Sequence, residues 1–206
     1  MRNRIVIVAL AVFLLALVPA ASANSVSYAL SCGGTSCGTV KITDLTSSSV
    51  SIKVTMTGGF TIQAKAGNGF QINTSTGLTL GLSNFSTFNF GSSTGTLNKA
   101  SNGGAGKFTW GVDKFNVPTG KTSVTGISFD LSGMTISDLL LNNKGNVVAV
   151  HYCTPLAGGT ANLNCPSPTG FTTSTKIPSV PEPGTLSLLG TGLVGLAGLA
   201  RRRFFS

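Results

Sequence analysis

Few groups in this chain could do chemistry. The single histidine, His151, stands in VVAVHYC beside Tyr152 and Cys153. A hydrolase could pair it with a serine and an aspartate, since such groups meet in space and not along the chain. Its neighbours instead suit a structural strand residue close to a disulfide. Asp44, Asp113, Asp130 and Asp138 are the carboxylates before the last 30 residues, and none is close to another in sequence. Glycoside hydrolysis needs two carboxyls across one bond, and nothing in the spacing marks a pair, Asp113 with Asp130 included. No acidic run resembles a calcium loop, and no glycine pattern follows a strand and opens a helix to hold phosphate. The expectation is a protein without enzymatic activity, metal or cofactor.

Two other residue types offer a site. Cys32, Cys37, Cys153 and Cys165 allow three disulfide pairings. Cys32 with Cys37 and Cys153 with Cys165 are favoured, because each closes a short loop rich in Gly, Ser, Thr or Pro (CGGTSC and CTPLAGGTANLNC). A four-thiolate zinc site would want tighter paired spacing and reduced thiols. Trp110 is the candidate ligand-binding residue, because sugar sites use flat aromatic faces. It alternates with Phe108 and Val112, however, and that pattern favours the core.

The elements that must position these residues have a period of two. In SVSIKVTMT, Val50, Ile52, Val54 and Met56 face one way while Ser51, Lys53 and Thr55 face the other, as in a half-buried strand. The same alternation marks GTVKITDL, GGFTIQAKA (Phe60, Ile62, Ala64), GLTLGL (Leu78, Leu80, Leu82), KFTWGV, GISFDL (Ile127, Phe129, Leu131) and GNVVAVHY. Turn residues separate them at Gly58 and Gly59, at 67–69, 102–104, 118–120 and 142–146. No helical period occurs between residues 24 and 180. The expectation is a single all-β domain, an antiparallel β-sandwich of jelly-roll type, over residues 24–165. TGLTLGLSNFS at 76–86 echoes TGISFDLSGMT at 125–135, which would suit equivalent strands in two halves of a sandwich. Two copies are too few for a solenoid.

Charge narrows the partners. The net charge of +9 includes five arginines in the terminal segments, whereas nine lysines against four aspartates leave residues 24–180 at +5. The lysines are scattered singly without interleaved aromatics, so no nucleic-acid stripe is expected. A mild attraction to anionic polymers or head groups remains.

The ends read as addresses. Arg2 and Arg4 precede an apolar stretch of 14 residues from Ile5 to Val18, then Pro19 and the small residues Ala21 and Ala23. This predicts a secretory signal peptide over 1–23, cut after Ala23 by signal peptidase once the general secretion machinery has exported the chain. Export to an oxidising compartment is also why the cysteines are read as disulfides. Residues 166–180, with Ser, Thr and Pro predominant, predict a semi-rigid linker. The apolar run from Thr185 to Ala200 is 16 residues, about 24 Å as a helix against a hydrocarbon core of about 30 Å. It predicts a short transmembrane helix. Arg201, Arg202 and Arg203 would hold its end on the cytoplasmic side.

Pro181, Glu182 and Pro183, the apolar helix and the basic cluster behind it resemble the PEP-CTERM sorting signal of Gram-negative bacteria. The resemblance covers the last 27 residues, 181–206 with Val180. LPxTG, the sortase signal, is absent, and a GPI-type signal would end in its apolar tail. The resemblance implies a substrate of exosortase, held briefly in the inner membrane, cut near Pro181 to Pro183, and passed to the cell surface or an exopolysaccharide matrix. The expected role is structural or adhesive, exopolysaccharide-associated and biofilm-forming. A carbohydrate-binding module or weak carbohydrate-active hydrolase is the alternative.

Overall fold

A computed structural model describes residues 24–65, 67–165, 170–174 and 192. The expected signal peptide with Ala21 and Ala23, the cleavage motif Pro181 to Pro183, the cluster Arg201 to Arg203 and, residue 192 apart, the transmembrane helix lie outside the described residues. The described residues from 24 to 174 form one compact unit.

The described residues of that unit form two antiparallel sheets, with strands numbered in chain order. The first holds β1 (Ser25–Cys32), β2 (Thr35–Thr46), β3 (Ser49–Met56), β6 (Gly81–Thr87), β7 (Gly91–Ser92) and β11 (Gly126–Ser132), ordered β1-β2-β3-β11-β6-β7. The second holds β4 (Thr61–Gln63), β5 (Asn68–Ile72), β8 (Thr96–Gly103), β9 (Gly106–Asp113), β10 (Ser123–Val124), β12 (Val148–Cys153) and β13 (Gly170–Ser174). Its order is β10-β4-β12-β5-β9-β8, with β13 beside β12. Among the described residues of the unit, the helical pieces are two single 3-10 turns, Ile136–Asp138 and Ala157–Gly159.

Alternation produces the layers. On β1, Val26, Tyr28, Leu30 and Cys32 are buried while Ser25, Ser27, Ala29 and Ser31 are exposed. Val50, Ile52, Val54 and Met56 on β3, and Ile127, Phe129 and Leu131 on β11, bury the same face. They share one core with Phe70, Ile72, Val112, Val148 and Val150 of the second sheet. Phe70 of β5 meets Phe129 of β11 edge to face at 5.5 Å, joining the sheets. The turn between β1 and β2 is Gly33 and Gly34, both at positive φ (60° and 90°), which glycine adopts without steric cost and which matches the twist of a tight hairpin.

The expected all-β architecture with antiparallel sheets is therefore what the chain adopts, with four differences. β1, β2 and β3 form a meander within one sheet, whereas a jelly roll would send successive strands across the sandwich. The strand expected in GLTLGL begins only at Gly81 and runs to Thr87, because Leu78 and Leu80 belong to the crossing from the second sheet to the first. The echoing segments are direct antiparallel neighbours, with Leu82 opposite Leu131, and not equivalent strands in two halves. Finally, the stretch expected as linker supplies β13, whose Gly170–Ser174 pairs with Tyr152–Val148. Its Thr172 and Ser174 are buried, so the folded unit reaches past the second disulfide.

β12 is the strand around which the second sheet is organised. On one side, Val148, Ala149 and Val150 pair with Ile72, Gln71 and Phe70 of β5, while Tyr152 and Cys153 pair with Ile62 and Thr61 of β4. β4 and β5 thus lie end to end like one interrupted strand. His151 falls opposite the interruption.

Candidate functional site

Both expected disulfides are present, Cys32 to Cys37 across the β1–β2 turn and Cys153 to Cys165 beyond β12. The second closes a loop that is stitched to two strands. Thr61 Oγ1 of β4 and Ser123 Oγ of β10 donate to the Asn162 carbonyl, Thr122 N–H donates to the Leu163 carbonyl, and Thr122 Oγ1 donates to the Cys165 carbonyl.

Trp110 lies at the edge of a pocket of about 400 Å³. Residues within 73–78, on the crossing from β5 to β6, form one wall, and the β8–β9 hairpin forms the other. Leu78, Phe108 and Trp110 supply its apolar surface, and Lys99 and Lys107 supply its cations. Asn73, Ser75, Thr76 and Thr109 supply polar groups, and among the described residues no carboxylate lines it. Lys99 sits directly opposite Trp110 in the hairpin register, with its ammonium 5.4 Å above the indole centroid. That is the distance of a cation–π contact. The indole itself is only 6% exposed, so the expectation that Trp110 packs in the core holds, although its margin faces the pocket.

The wall is fixed before any ligand arrives. Thr109 Oγ1 accepts from the Thr74 N–H at 2.8 Å and donates to the Ile72 carbonyl. Asn73 Oδ1 accepts from the Thr109 N–H, while its amide donates to the Leu140 carbonyl. Ser75 N–H donates to the Asp138 carbonyl, and its hydroxyl to the Asp138 carboxylate. The hairpin tip is held as firmly. Asn142 and Asn146 amides donate to the Ala105 carbonyl, Lys144 Nζ to the Gly104 carbonyl, and Asn143 Oδ1 accepts from the Lys107 N–H. Gly106 has to be glycine, because its φ is 113° and a Cβ there would lie 2.6 Å from the Asn142 amide nitrogen.

The remaining chemical groups are dispersed. Asp44 accepts from the Ile136 N–H, and Asp138 accepts from the N–H and hydroxyl of Thr135, so both carboxylates hold the short helical turn. Asp130 accepts from Asn84 Nδ2 at 2.6 Å. Asp130 lies between the core residues Phe129 and Leu131, and Asp113 follows Val112 on the other sheet. The two carboxylates thus belong to strands of different sheets, β11 and β9.

His151 stacks on its cross-strand neighbour Phe171, with ring centroids 3.4 Å apart. Burial pushes its imidazole from 6.5 down to about 4, against a weaker upward pull from a hydrogen bond to the Asn68 backbone. The fold therefore holds the neutral ring. The unfolded chain takes up this proton near pH 6.5 and the folded chain only near pH 4, so the ring's contribution is intact above pH 6.5 and is lost as pH falls toward 4. The ring keeps partial solvent access, which sets the loss on the order of 1 kcal/mol. Urea midpoints at about pH 7.5 and about pH 4.5 should differ accordingly, and His151→Gln should shrink the difference.

Lys99 and Lys107 were not marked by the sequence as site residues, yet counting would have found the first. A hairpin turning at Gly104 and Ala105 places Gly103 opposite Gly106, and therefore Lys99 opposite Trp110. The wall residues 73–78 carry no comparable sign.

Comparison with known families places one region. Residues 179–203 match the model of the PEP-CTERM protein-sorting motif, covering Pro181, Glu182, Pro183 and Arg201 to Arg203. The molecule is thus a disulfide-bonded all-β protein bearing a C-terminal sorting motif. That motif implies exosortase as processing partner and export to the cell envelope or surface of a Gram-negative bacterium. Neither curated proteins nor solved structures yielded a match to the chain.

Proposed function

We propose that this protein is a non-catalytic structural or adhesive component of the cell surface or extracellular matrix, associated with exopolysaccharide after exosortase removes its C-terminal signal. The observation that carries this reading is the sorting motif at 179–203, which follows β13 in the chain. The engagement of Asp44, Asp130 and Asp138 in structural hydrogen bonds supports a non-catalytic role. In this reading the signal peptide is removed after Ala23. The apolar segment 185–200 then pauses in the inner membrane with Arg201 to Arg203 inside, presenting Pro181 to Pro183 for cutting. A second reading, a carbohydrate-binding module, is favoured by the pocket between Trp110 and the β5–β6 crossing.

Replacing Pro181, Glu182 and Pro183 together by alanine tests the first reading. Fractionation should find the variant uncut in the membrane, with the external form strongly reduced. External protein at the wild-type level and size would overturn it.

A further inference from the structure

We propose that the pocket beside Trp110 binds acidic sugar units, with the ligand's carboxylates held by Lys99 and Lys107. This deepens the carbohydrate-binding reading and rests on it, while the sorting of the chain does not enter. Among the described residues two cations line the pocket, and the nearby Asp138 carboxylate stands behind the Ser75 hydroxyl that donates to it, so the lining favours anions. Ser75, Thr76, Thr109 and Asn73 line it together with the apolar Leu78, Phe108 and Trp110. A polyhydroxylated ring with one C–H face and one charged edge matches that mixture, its C–H face meeting the apolar side chains and its charged edge the lysines. A volume of about 400 Å³ is at the lower end for small-ligand sites, which suits a short stretch of saccharide.

Lys99 makes the selectivity mechanical. In this structure its ammonium rests over the Trp110 ring, a hold weaker than a charge-assisted hydrogen bond to a carboxylate. An acidic sugar draws the ammonium off the ring and occupies the margin it leaves. A neutral sugar cannot, and it would also bury both lysines without a counter-charge. The walls cost little to order, because the hydrogen bonds of residues 73–75 and the asparagine clamp on the hairpin tip are already made.

Trp110 is the only tryptophan of the chain, so its emission reports on this pocket alone. The full chain, held in a polyoxyethylene detergent that carries no sugar, would be titrated with a trimer of galacturonic acid and with the neutral galactose trimer. Calorimetry would run in parallel. The acidic trimer should give a saturable change in emission and heat, with no saturation by the neutral one at the same concentrations. Lys99→Ala and Lys107→Ala should each weaken binding about tenfold, and Lys99→Arg should retain most of it. Raising salt from about 0.1 M to about 1 M should weaken it several-fold. Equal binding of both trimers would overturn the acidic preference while leaving the carbohydrate reading in place. Binding of neither would end both. Full competition by equimolar inorganic phosphate, or unchanged affinity in the Lys99→Ala, Lys107→Ala double variant, would also overturn it.

Discussion

Phe129→Ala is expected to lower the free energy of unfolding by about 3–5 kcal/mol, a large part of the roughly 5–15 kcal/mol that holds a domain together. Phe129 is 1% exposed and is the ring at which the two sheets meet. It takes the edge of Phe70 from β5 at 5.5 Å and stacks on Phe85 of β6 at 5.7 Å. Phe85 in turn leans on Phe115, in the connection after β9, at 5.1 Å. Truncation therefore removes the ring's own burial and leaves a cavity bounded by rings fixed in both sheets, which cannot close over it without moving a strand. Urea unfolding should show the midpoint fall without a change in slope. Leu140→Ala, at a site 44% exposed, should stay within about 0.5 kcal/mol of wild type. Equal effects of the two substitutions would mean that the sheets do not share this core.

Losing the Cys153–Cys165 disulfide is the second large effect, expected at about 3 kcal/mol from the restored entropy of the loop it closes. The sequence separation of 12, against 5 for Cys32–Cys37, makes it the more costly of the two. The loop also carries the carbonyls of Asn162, Leu163 and Cys165 that accept from Thr61, Thr122 and Ser123. β10 is only two residues long and among the described strands pairs with β4 alone, so this stitching is much of what holds it in the sheet. The Cys153→Ser, Cys165→Ser double variant should unfold at lower urea, with amide exchange rising first in residues 122–124 and 61–63. A smaller loss than in the Cys32→Ser, Cys37→Ser variant would contradict this ordering.

The sequence made some strands plain and hid others for a physical reason. β3, β9 and β11 were legible because each buries one face and wets the other, so alternation survives in residue type. β8 and β13 were not. TLNKASNG and GFTTS are mostly polar, and what makes them strands is backbone pairing to β9 and β12, which leaves no periodic mark. The alternating leucines of GLTLGL misled in the opposite direction, since a crossing that folds over a pocket can bury every second residue without being a strand. The disulfides could be read from loop composition. Lys99 needed the hairpin register, and the wall at 73–78 needed Thr109 and Asp138, which are distant in the chain.

The central claim is that the chain is an exported substrate trimmed at its C-terminal motif. Intact mass of the protein recovered from outside wild-type cells, and from cells lacking exosortase, tests it most directly. From wild-type cells the mass should correspond to a chain starting at Asn24, carrying two disulfides and ending near Pro181 to Pro183. Cells lacking exosortase should keep the uncut form in the membrane. External protein that retains Arg201 to Arg203, or the same trimmed mass with and without exosortase, would contradict the account.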